Sequence, residues 1–362
     1  MKNVLISGAS IGGPALAYWL RHHGFRVTVV ERARGPRPGG QAVDVRGPAL
    51  EVVERMGLGE RLRSFSTDMR GMSMVDADGN ELFRSTTHTL SGGDLASPDV
   101  ELLRDDLARM LFDAADGVEY LFDDTITSID GTRVTFENAA PRDFDVVVGA
   151  DGLHSNVRRL VFGPESRFIT HLGMNLAVFT APNFLGLDHW QTFQQGGAVG
   201  GGVMSARANA ECRVYMGFND EVSFDHRDVD AQRRLVAEKF DGAGWVWPTA
   251  LKHMWEAPDF HFDSMSQIRM DSWSRGNVVL LGDAGYCGSP MSGQGTGMAL
   301  VGAYVLAGEL AKDPSAAFQR YEEVLRPYVT ANQDMALRNM ETGGAPGDDF
   351  AEIVNSLTLP VY

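Results

Sequence analysis

The apolar positions at the start of the chain follow first a strand pattern, then a helix pattern, then a second strand pattern. Residues 3–7 form a short apolar run, and residues 8–24 carry apolar side chains at the helical period before a final glycine. Residues 26–32 are again largely apolar and end in charged residues. Short apolar runs of this kind are typical of parallel strands that are covered on both faces. The pattern therefore predicts a βαβ unit.

The middle of the chain is predicted to be rich in strands. Residues 71–85 surround Asp78 and Gly79, a pair that is typical of a hairpin turn. Residues 165–267 combine alternating stretches with many turn residues, which favours a sheet. Within that region, residues 231–244 have the pattern of one amphipathic helix.

Other segments have helical patterns. Residues 100–115 are predicted to form one helix, and residues 143–163 a strand, a turn and a helix. Residues 315–340 are predicted to form a long helix that Pro327 interrupts. A glycine-rich hinge and a short tail are expected after it.

One loop has an unusual composition. Residues 282–297 hold six glycines and one aspartate between an apolar strand pattern and an apolar helix that begins at Met298. A loop that only turns the chain needs one or two glycines. The excess predicts that this backbone closely approaches a flat or anionic ligand, where a Cβ would collide.

Charge and cysteine content disfavour several classes of function. The formal net charge of −16 at pH 7 argues against nucleic acid or an anionic membrane surface as a partner, because both favour a basic face. Cys212 and Cys287 are too few for a disulfide framework and lack the spacing of zinc ligands, so we expect no metal. The chain starts without a signal-peptide pattern, and its longest apolar stretch, residues 298–308, is too short to span a bilayer. We expect a cytoplasmic protein.

The first strand-to-helix turn has most of a dinucleotide-binding pattern. Gly8 and Gly13 take the outer positions of G-x-G-x-x-G, Ser10 takes the middle position, and Glu31 ends the second strand. In such turns the backbone amides bind a pyrophosphate and the acid binds a ribose. Serine is the least disruptive replacement for the middle glycine, because its hydroxyl can donate to a phosphate oxygen. Between two predicted strands, the pattern favours a dinucleotide site over a plain α/β turn.

Three segments in this order resemble one family of flavoenzymes. They are residues 8–31, residues 146–158 with the sequence VVVGADGLHSNVR, and residues 282–300 with GDAGYCGSPMSGQGTGMAL. Together they are similar to the FAD-dependent aromatic hydroxylases, the class A flavin monooxygenases of the para-hydroxybenzoate hydroxylase type. The resemblance covers essentially the whole chain. Residues 37–44 and 102–111 are similar to segments of the short tetracycline-inactivating subgroup, which also lacks an extra C-terminal domain.

The resemblance implies an α/β fold: a Rossmann-like FAD-binding domain in discontinuous segments, an inserted strand-rich substrate domain and a C-terminal helix. The FAD-binding domain would comprise residues 1–70, 100–164 and 268–312. The substrate domain would comprise residues 71–99 and 165–267, and residues 313–362 would form a C-terminal bracing helix and tail.

The resemblance also implies where FAD binds. The pyrophosphate would lie at the first glycine-rich turn, the adenosine ribose at Glu31, the ribityl chain at Asp283 and the isoalloxazine edge against residues 290–297. Arg37 would contact NAD(P)H or the pyrophosphate, and Asp151 would lie near both dinucleotides. The expected cofactor-binding residues are Gly8, Ser10, Ile11, Gly12, Gly13, Glu31, Arg32, Arg37, Asp44, Arg104, Asp151, Gly152, Asp283, Pro290, Gly293, Gly295, Thr296 and Gly297.

Apolar and aromatic side chains of the strand-rich region are candidates for a substrate pocket. They are Phe193, Met204, Tyr215, Met254, His261 and Phe262, together with Met291 of the third glycine-rich loop. Ordinary sheet core is an equally good interpretation of the residues in the strand-rich region. The glycine-rich residues 194–204 are interpreted as a hairpin or bulge, because no helix pattern follows them.

The function implied by the resemblance is that of an NAD(P)H-consuming monooxygenase. FAD reduced by NAD(P)H would react with O2 to a C4a-hydroperoxide, which transfers one oxygen atom to an aromatic or polyketide-like small molecule. No motif identifies a catalytic acid or base. We expect a monomer or a weak homodimer.

Other functions are open on the same fold. A flavin-dependent dehydrogenase or reductase, or a flavin-binding protein without turnover, would need the same FAD segments. Residues 244–248, GWVWP, resemble the W-x-W-x-x-P box of flavin-dependent halogenases. Those enzymes use a lysine, however, and this chain has none between Lys2 and Lys239. For Cys287, a packing thiol is a better interpretation than covalent flavin attachment.

Overall fold

The computed structural model describes residues 2–90, 93–220, 222–341, 347 and 349–362. The predicted glycine-rich hinge at residues 342–346 lies outside the described residues. The strands are β1 Asn3–Ser7, β2 Arg26–Glu31, β3 Ala42–Val45, β4 Gly71–Val75, β5 Glu81–Ser85, β6 His88–Thr89, β7 Gly93–Asp94, β8 Val100–Leu103, β9 Glu119–Phe122, β10 Ile126–Asp130, β11 Arg133–Phe136, β12 Arg142–Asp143, β13 Val146–Gly149, β14 Ile169–Pro182, β15 Trp190–Gln194, β16 Val199–Ala206, β17 Glu211–Asn219, β18 His261–Ile268, β19 Ser274–Arg275 and β20 Val278–Leu280. The helices are α1 Gly12–His22, α2 Gly47–Arg55, α3 Gly59–Arg63, α4 Arg104–Ala114, α5 Asn156–Val161, α6 Val229–Lys239, α7 Trp247–Glu256, α8 Asp283–Tyr286, α9 Gly295–Lys312, α10 Ala317–Glu341 and α11 Phe350–Val354.

The first sheet contains the predicted βαβ unit. Within the described residues it has six strands in the order β19-β20-β13-β1-β2-β9. β1 pairs in parallel with β2 and β13, and β13 pairs in parallel with β20. Val4, Leu5 and Ile6 of β1 are fully buried, as expected for a parallel strand that is covered on both faces. The carboxyl ends of these strands meet at one edge, from which all three glycine-rich segments leave.

The second sheet forms a wall with two different faces. Its strands in the described part of the chain follow the order β18-β14-β17-β16-β15-β4-β5, and all pairs are antiparallel except β15 and β4. Phe179, Val214 and Met216 pack with Phe240 of the α6 C-cap and Trp247 of α7 in a hydrophobic core of their own. The opposite face lines the cavity that is described below.

Both predicted hairpins are present. β4 and β5 pair around Asp78 and Gly79, and the Asp76 carboxylate accepts hydrogen bonds from the amides of Asp78 (3.0 Å) and Asn80 (2.8 Å). β15 and β16 pair in the antiparallel sense around residues 195–198, as expected for a glycine-rich hairpin.

The prediction of one helix over residues 100–115 was wrong at its start. Residues Val100–Leu103 form β8, and the helix begins at Arg104. Leucine and glutamate favour helices, but all four residues are buried and pair with β3, Val100 with Val45 and Leu103 with Ala42. Tertiary pairing therefore overrides the local preference.

Two other helices differ from the prediction. α10 runs through Pro327 without a break. Proline removes the amide that would bond to the carbonyl of Glu323, but both residues are exposed, so that carbonyl can be solvated. The strand-rich region also contains a second helix, α7, which begins at Trp247 with Pro248 in its first turn. Tryptophan and valine surround the start of α7. Both residue types are enriched in strands, so the sequence pattern did not predict this helix.

The domain boundaries given above stay a prediction.

None of the helices in the described ranges is both long and apolar enough to cross a membrane.

α10 is tied to two other segments by a buried amide. Gln333 donates from Nε2 to the carbonyls of Ile268 (2.8 Å) and Cys287 (3.1 Å). Gln267 donates in return to the Gln333 carbonyl (2.7 Å). These bonds connect α10 to the end of β18 and to the start of the third glycine-rich loop.

Replacing Gln333 by methionine should lower the free energy of unfolding by about 1–3 kcal/mol, because the substitution removes the buried hydrogen bonds to the Ile268 and Cys287 carbonyls. Urea unfolding of the FAD-loaded protein measures this. Gln319→Met on the same helix is the control, since Gln319 is exposed and bonds to Glu323 at the surface; it should change stability by no more than ~0.5 kcal/mol. Equal effects of the two substitutions would show that α10 is not held in this way.

Candidate functional site

The first glycine-rich turn brings three elements unusually close together. Gly8 has a φ of +109°, and an added Cβ would lie 2.3 Å from the Ala150 carbonyl oxygen beyond β13. At Gly13, an added Cβ would lie 1.9 Å from the Gly8 carbonyl oxygen. Hydrogen alone fits at both positions, so β1, α1 and the loop after β13 pack more closely than side chains allow.

Glu31 fixes the backbone of the same turn. Its carboxylate accepts hydrogen bonds from the amides of Ala9 and Ala33, each at 2.8 Å. The residue also lines the cavity beside the turn. The sequence pattern assigns Glu31 to a ribose. In the structure these hydrogen bonds from nearby backbone amides hold its carboxylate at the end of β2.

Arg104 connects the turn to the loop before β3. Its guanidinium donates to Ser10 Oγ (3.2 Å), to the Gly39 carbonyl (2.7 Å) and to the Arg37 carbonyl (2.7 Å). Burial, together with the nearby Arg37 cation, lowers the pKa of Arg104 to about 10. The cation lies beside an exposed Ser10 hydroxyl, so both groups are available to an anion at the turn.

The second glycine-rich segment is organised by Asp151. Its carboxylate accepts from Ser155 Oγ (2.5 Å) and from the Val157 amide (3.0 Å) at the start of α5. Ser155 in turn caps α5 by accepting from the Arg158 amide (2.9 Å). Asp151 therefore stabilises the start of α5 and also lines the cavity.

Arg158 joins the second segment to the third. Its fully buried guanidinium donates to the carbonyls of Ala284 (2.9 Å) and Leu153 (2.6 Å) and pairs with Glu165 (2.6 Å). The two loops therefore keep a fixed separation. Arg158 is the last residue of the motif VVVGADGLHSNVR, and the sequence pattern did not indicate this role.

The third segment presents a carboxylate and the amino end of a helix. Asp283 begins α8, and its side chain is exposed to the cavity while protein surrounds its other sides; this burial raises the pKa of its carboxyl. α9 begins at Gly295 after Gln294, and none of the described side chains caps this end. The first amides of an 18-residue helix thus face the loop region with a partial positive charge.

The three segments and the second sheet line one cavity of about 3320 Å³. Sixteen of the eighteen expected cofactor residues contribute to it: Gly8, Ser10, Ile11, Gly12, Glu31, Arg32, Arg37, Asp44, Arg104, Asp151, Gly152, Asp283, Pro290, Gly293, Gly295 and Thr296. Of the substrate candidates, Phe193, Tyr215, His261, Phe262 and Met291 line it.

Gly13, Gly297, Met204 and Met254 do not line the cavity. Gly13 is needed for packing against Gly8, as shown above, and Gly297 packs beside Gln294. Met204 is fully buried, with its sulfur 3.6 Å from the amide nitrogen of Gln191. The structure shows packing contacts at these four positions, and the expected contacts with a ligand stay predictions there.

Phe262 of β18 and Met254 of α7 illustrate the ambiguity of apolar residues in the strand-rich region. Phe262 contributes to the cavity wall but is almost fully buried and packs on Phe218 and Phe224. Met254 lies in the core between α7 and the sheet. The sequence gives no signal that separates these two situations.

The residues present fit FAD. A Cβ added to Gly152 or Gly293 would meet nothing within 4 Å, so the backbone there leaves open space for a ligand. The exposed Ser10 hydroxyl and the buried Arg104 cation suit a pyrophosphate. The Asp283 carboxylate suits the hydroxyls of a ribityl chain, and the amides of α9 suit the electron-rich edge of a flavin. The Cys287 thiol is buried, which raises its pKa, so it is a poor nucleophile.

A histidine between two carboxylates was missed by the sequence analysis. His154 Nδ1 lies 2.9 Å from Glu165, and Nε2 lies 3.1 Å from Asp263 of β18. The ring of His226 stacks on it at 3.8 Å. Burial alone would lower the pKa of His154, but the two hydrogen bonds outweigh it and raise the pKa to about 9. The partners lie far apart in sequence, so spacing gave no signal.

The fold, these loops and the similarity to known proteins together identify an FAD-dependent monooxygenase of the aromatic hydroxylase type. The chain belongs to the FAD binding domain family, which matches residues 1–341. A flavin-dependent monooxygenase from an unknown prokaryotic organism is 40% identical over 339 residues, with 92% of this chain and 88% of that protein covered. The uncharacterized protein Rv1260 of Mycobacterium tuberculosis (strain ATCC 25618 / H37Rv) is 54% identical over 373 residues, with all of both chains covered. The solved structure of tetracycline destructase Tet(51) is similar over all of both chains, with a TM-score of 0.90 and 34% identity.

Asp283→Ala should weaken FAD binding. The substitution removes a charged acceptor from the cavity, a hydrogen bond worth about 1.5–3 kcal/mol, or roughly 10- to 150-fold in Kd. Titration of the apoprotein with FAD, followed by flavin fluorescence, measures the change. Asp241→Ala, at an exposed position outside the cavity, is the control. An unchanged Kd for the Asp283 variant would remove this residue from the site.

The His154 cluster should make stability depend on alkaline pH. Because the folded-state pKa is raised from its ordinary value of 6.5 to about 9, the stabilisation is complete below pH 6.5 and is lost as pH rises through 9. The difference in unfolding free energy between the natural protein and His154→Gln should therefore shrink between pH 6 and about 10. His22→Gln, at an exposed position, should show no such trend. A constant difference would mean that folding does not shift the pKa of His154.

Proposed function

We propose that the protein is an NAD(P)H-consuming monooxygenase that hydroxylates an aromatic or polyketide-like small molecule. The observation that carries this proposal is the shared cavity. It is lined by the FAD-type loops and, on the cavity face of the second sheet, by Phe193 and Tyr215, whose ring centroids lie 5.8 Å apart. Aromatic walls beside a flavin suit a ring-shaped substrate. The names of the relatives, flavin-dependent monooxygenase and tetracycline destructase, support it.

The proposed roles of the cofactor residues follow their positions. The turn from Gly8 to Gly12, with Ser10 and Arg104, would hold the pyrophosphate, and Glu31 the adenosine ribose. Asp283 would hold the ribityl chain. Bound FAD supplies the redox chemistry, with O2 as the source of the transferred oxygen atom. The oxygenated flavin implied by the resemblance stays a prediction.

The isoalloxazine ring is proposed to lie beside the third loop. Pro290, Gly293, Gly295 and Thr296 line the cavity there, and their backbone would contact the ring edge. The first amides of α9 would stabilise negative charge on that edge by their dipoles and by donating hydrogen bonds. In this position the third loop and α9 would orient the flavin ring.

The reductant is proposed to approach transiently. Arg37 is exposed to the cavity beside the first turn, and Asp151 and Gly152 line the same space. Burial lowers the pKa of Arg37, and Glu31 opposes this effect. A cation next to the pyrophosphate turn suits a second dinucleotide phosphate.

The halogenase alternative is not supported by the positions of its expected residues. Trp247 is fully buried and donates to Gln194, and Trp245 packs edge-on against Trp247. Neither tryptophan contributes to the cavity wall, and none of the described wall residues is a lysine. The tryptophan box is therefore explained by packing between α7 and the sheet.

We further propose a cytoplasmic enzyme that acts on small molecules without a nucleic-acid or membrane partner, as a monomer or weak homodimer. The net charge of −16 supports the lack of an anionic partner.

Isotopic labelling distinguishes the remaining alternatives. In a reaction with NAD(P)H, a phenolic or polyketide probe and 18O2, the product should contain one labelled oxygen atom. A parallel reaction in labelled water with ordinary O2 should give an unlabelled product. A dehydrogenase would change the substrate without the label, and a halogenase would require chloride or bromide. Substrate-stimulated turnover with no label in any product would refute the monooxygenase proposal.

A further inference from the structure

Two neighbouring strands of the second sheet expose bare backbone to the cavity. Along β17, Tyr215 and Gly217 face the cavity, while Met216 between them is fully buried in the opposite core. The strand register places Gly217 directly opposite Gly200 of β16 and beside Leu176 of β14. Gly200 and Gly217 both line the cavity. We call this cross-strand pair the glycine floor.

The adjoining glycines of β16 are required by the fold. Gly201 has a φ of +137°, and an added Cβ would lie 2.0 Å from the Tyr215 carbonyl oxygen. A Cβ added to Gly202 would lie 2.3 Å from the ring of Phe193, which covers this position. Neither position accepts a side chain without rearrangement.

The glycine floor is different, because the fold does not require glycine there. The nearest atom to an added Cβ is 3.9 Å away at Gly200 and 3.4 Å away at Gly217, which are ordinary contact distances. Neither residue has the left-handed backbone that favours glycine. Glycine weakens a strand interior, and in such places it commonly marks the close approach of a ligand. The fold requires neither of these two paired glycines. Their presence therefore indicates that the open space above them in the cavity has a function.

We propose that the flat ring system of the substrate lies on the glycine floor, and that Gly200 and Gly217 determine how large a ring system the enzyme accepts. This rests on the proposed function. Leu176 of β14 borders the floor beside Gly217. Phe193 of β15 lies diagonally across from the floor, because it pairs with Gly202, two residues from Gly200 along β16. The backbones of β14 and β15 are three strand spacings apart, about 14 Å at ~4.8 Å per spacing. The Leu176 and Phe193 side chains reach inward from these strands and limit the sides of the open space.

The contact distance explains the size limit. An aromatic face lies about 3.5–4.0 Å from the atoms it contacts. A valine side chain would occupy that layer and lift the ring from the backbone. A one-ring substrate can shift sideways to avoid the side chain, whereas a multi-ring substrate that covers the floor cannot.

The test compares Gly200→Val and Gly217→Val with the natural protein and with the control Ala210→Val. Ala210 is exposed in the turn that joins β16 and β17 and does not line the cavity. Phenol, 2-naphthol and 2-anthrol serve as probes of increasing size, and binding to the FAD-loaded protein is measured by the change in flavin absorbance. Thermal unfolding reports the stability of each variant.

The natural protein should bind 2-anthrol more tightly than phenol. Each floor variant should lose about tenfold or more in 2-anthrol affinity, with a smaller loss for phenol. Stability should be unchanged or increased, and Ala210→Val should behave as the natural protein. Preferred binding of phenol by the natural protein, or an equal loss for all three probes, would overturn the proposal. Incorporation of labelled oxygen into a product tests the monooxygenase activity independently. The proposed role of the glycine floor and the proposed function can therefore fail separately.

Discussion

The close approach of β1, α1 and the loop after β13 at Gly8 and Gly13 is the constraint on which the site depends. At these two glycines, an added Cβ would lie about 2 Å from a neighbouring carbonyl oxygen. This contact places the amino end of α1 beside the carboxyl ends of the parallel strands. The first two FAD-type loops therefore leave from one edge of the sheet, and the third leaves beside them from β20.

Buried polar groups then fix the loops relative to one another. Arg104 joins the first turn to the loop before β3, and Arg158 joins the second loop to the third. His154 extends this set to the second sheet through Asp263. Because each cation donates to carbonyls or carboxylates in a poorly solvated place, loss of one partner is costly. These contacts together define the shape of the cavity.

Much of this could be predicted from the sequence, because the motifs are local. Gly8 and Gly13 belong to one turn and permit the same close contact between backbone segments. Short segments of sequence therefore suffice to predict the βαβ unit and the family. The start of α4 could not be predicted, since Val100–Leu103 become a strand by pairing with β3. The role of His154 depends on Asp263, more than one hundred residues away. In the sequence, Gly200 looked like part of an ordinary hairpin. Its significance depends on its cross-strand pairing with Gly217, which only the strand register shows.

The most direct test of this arrangement is a crystal structure of the protein with FAD bound. The pyrophosphate should lie at the turn that contains Gly8 and Ser10, within hydrogen-bonding distance of Arg104. The electron-rich edge of the isoalloxazine ring should face the first amides of α9. A pyrophosphate outside the first turn, or a flavin ring bound away from the α9 amides, would contradict the proposed site.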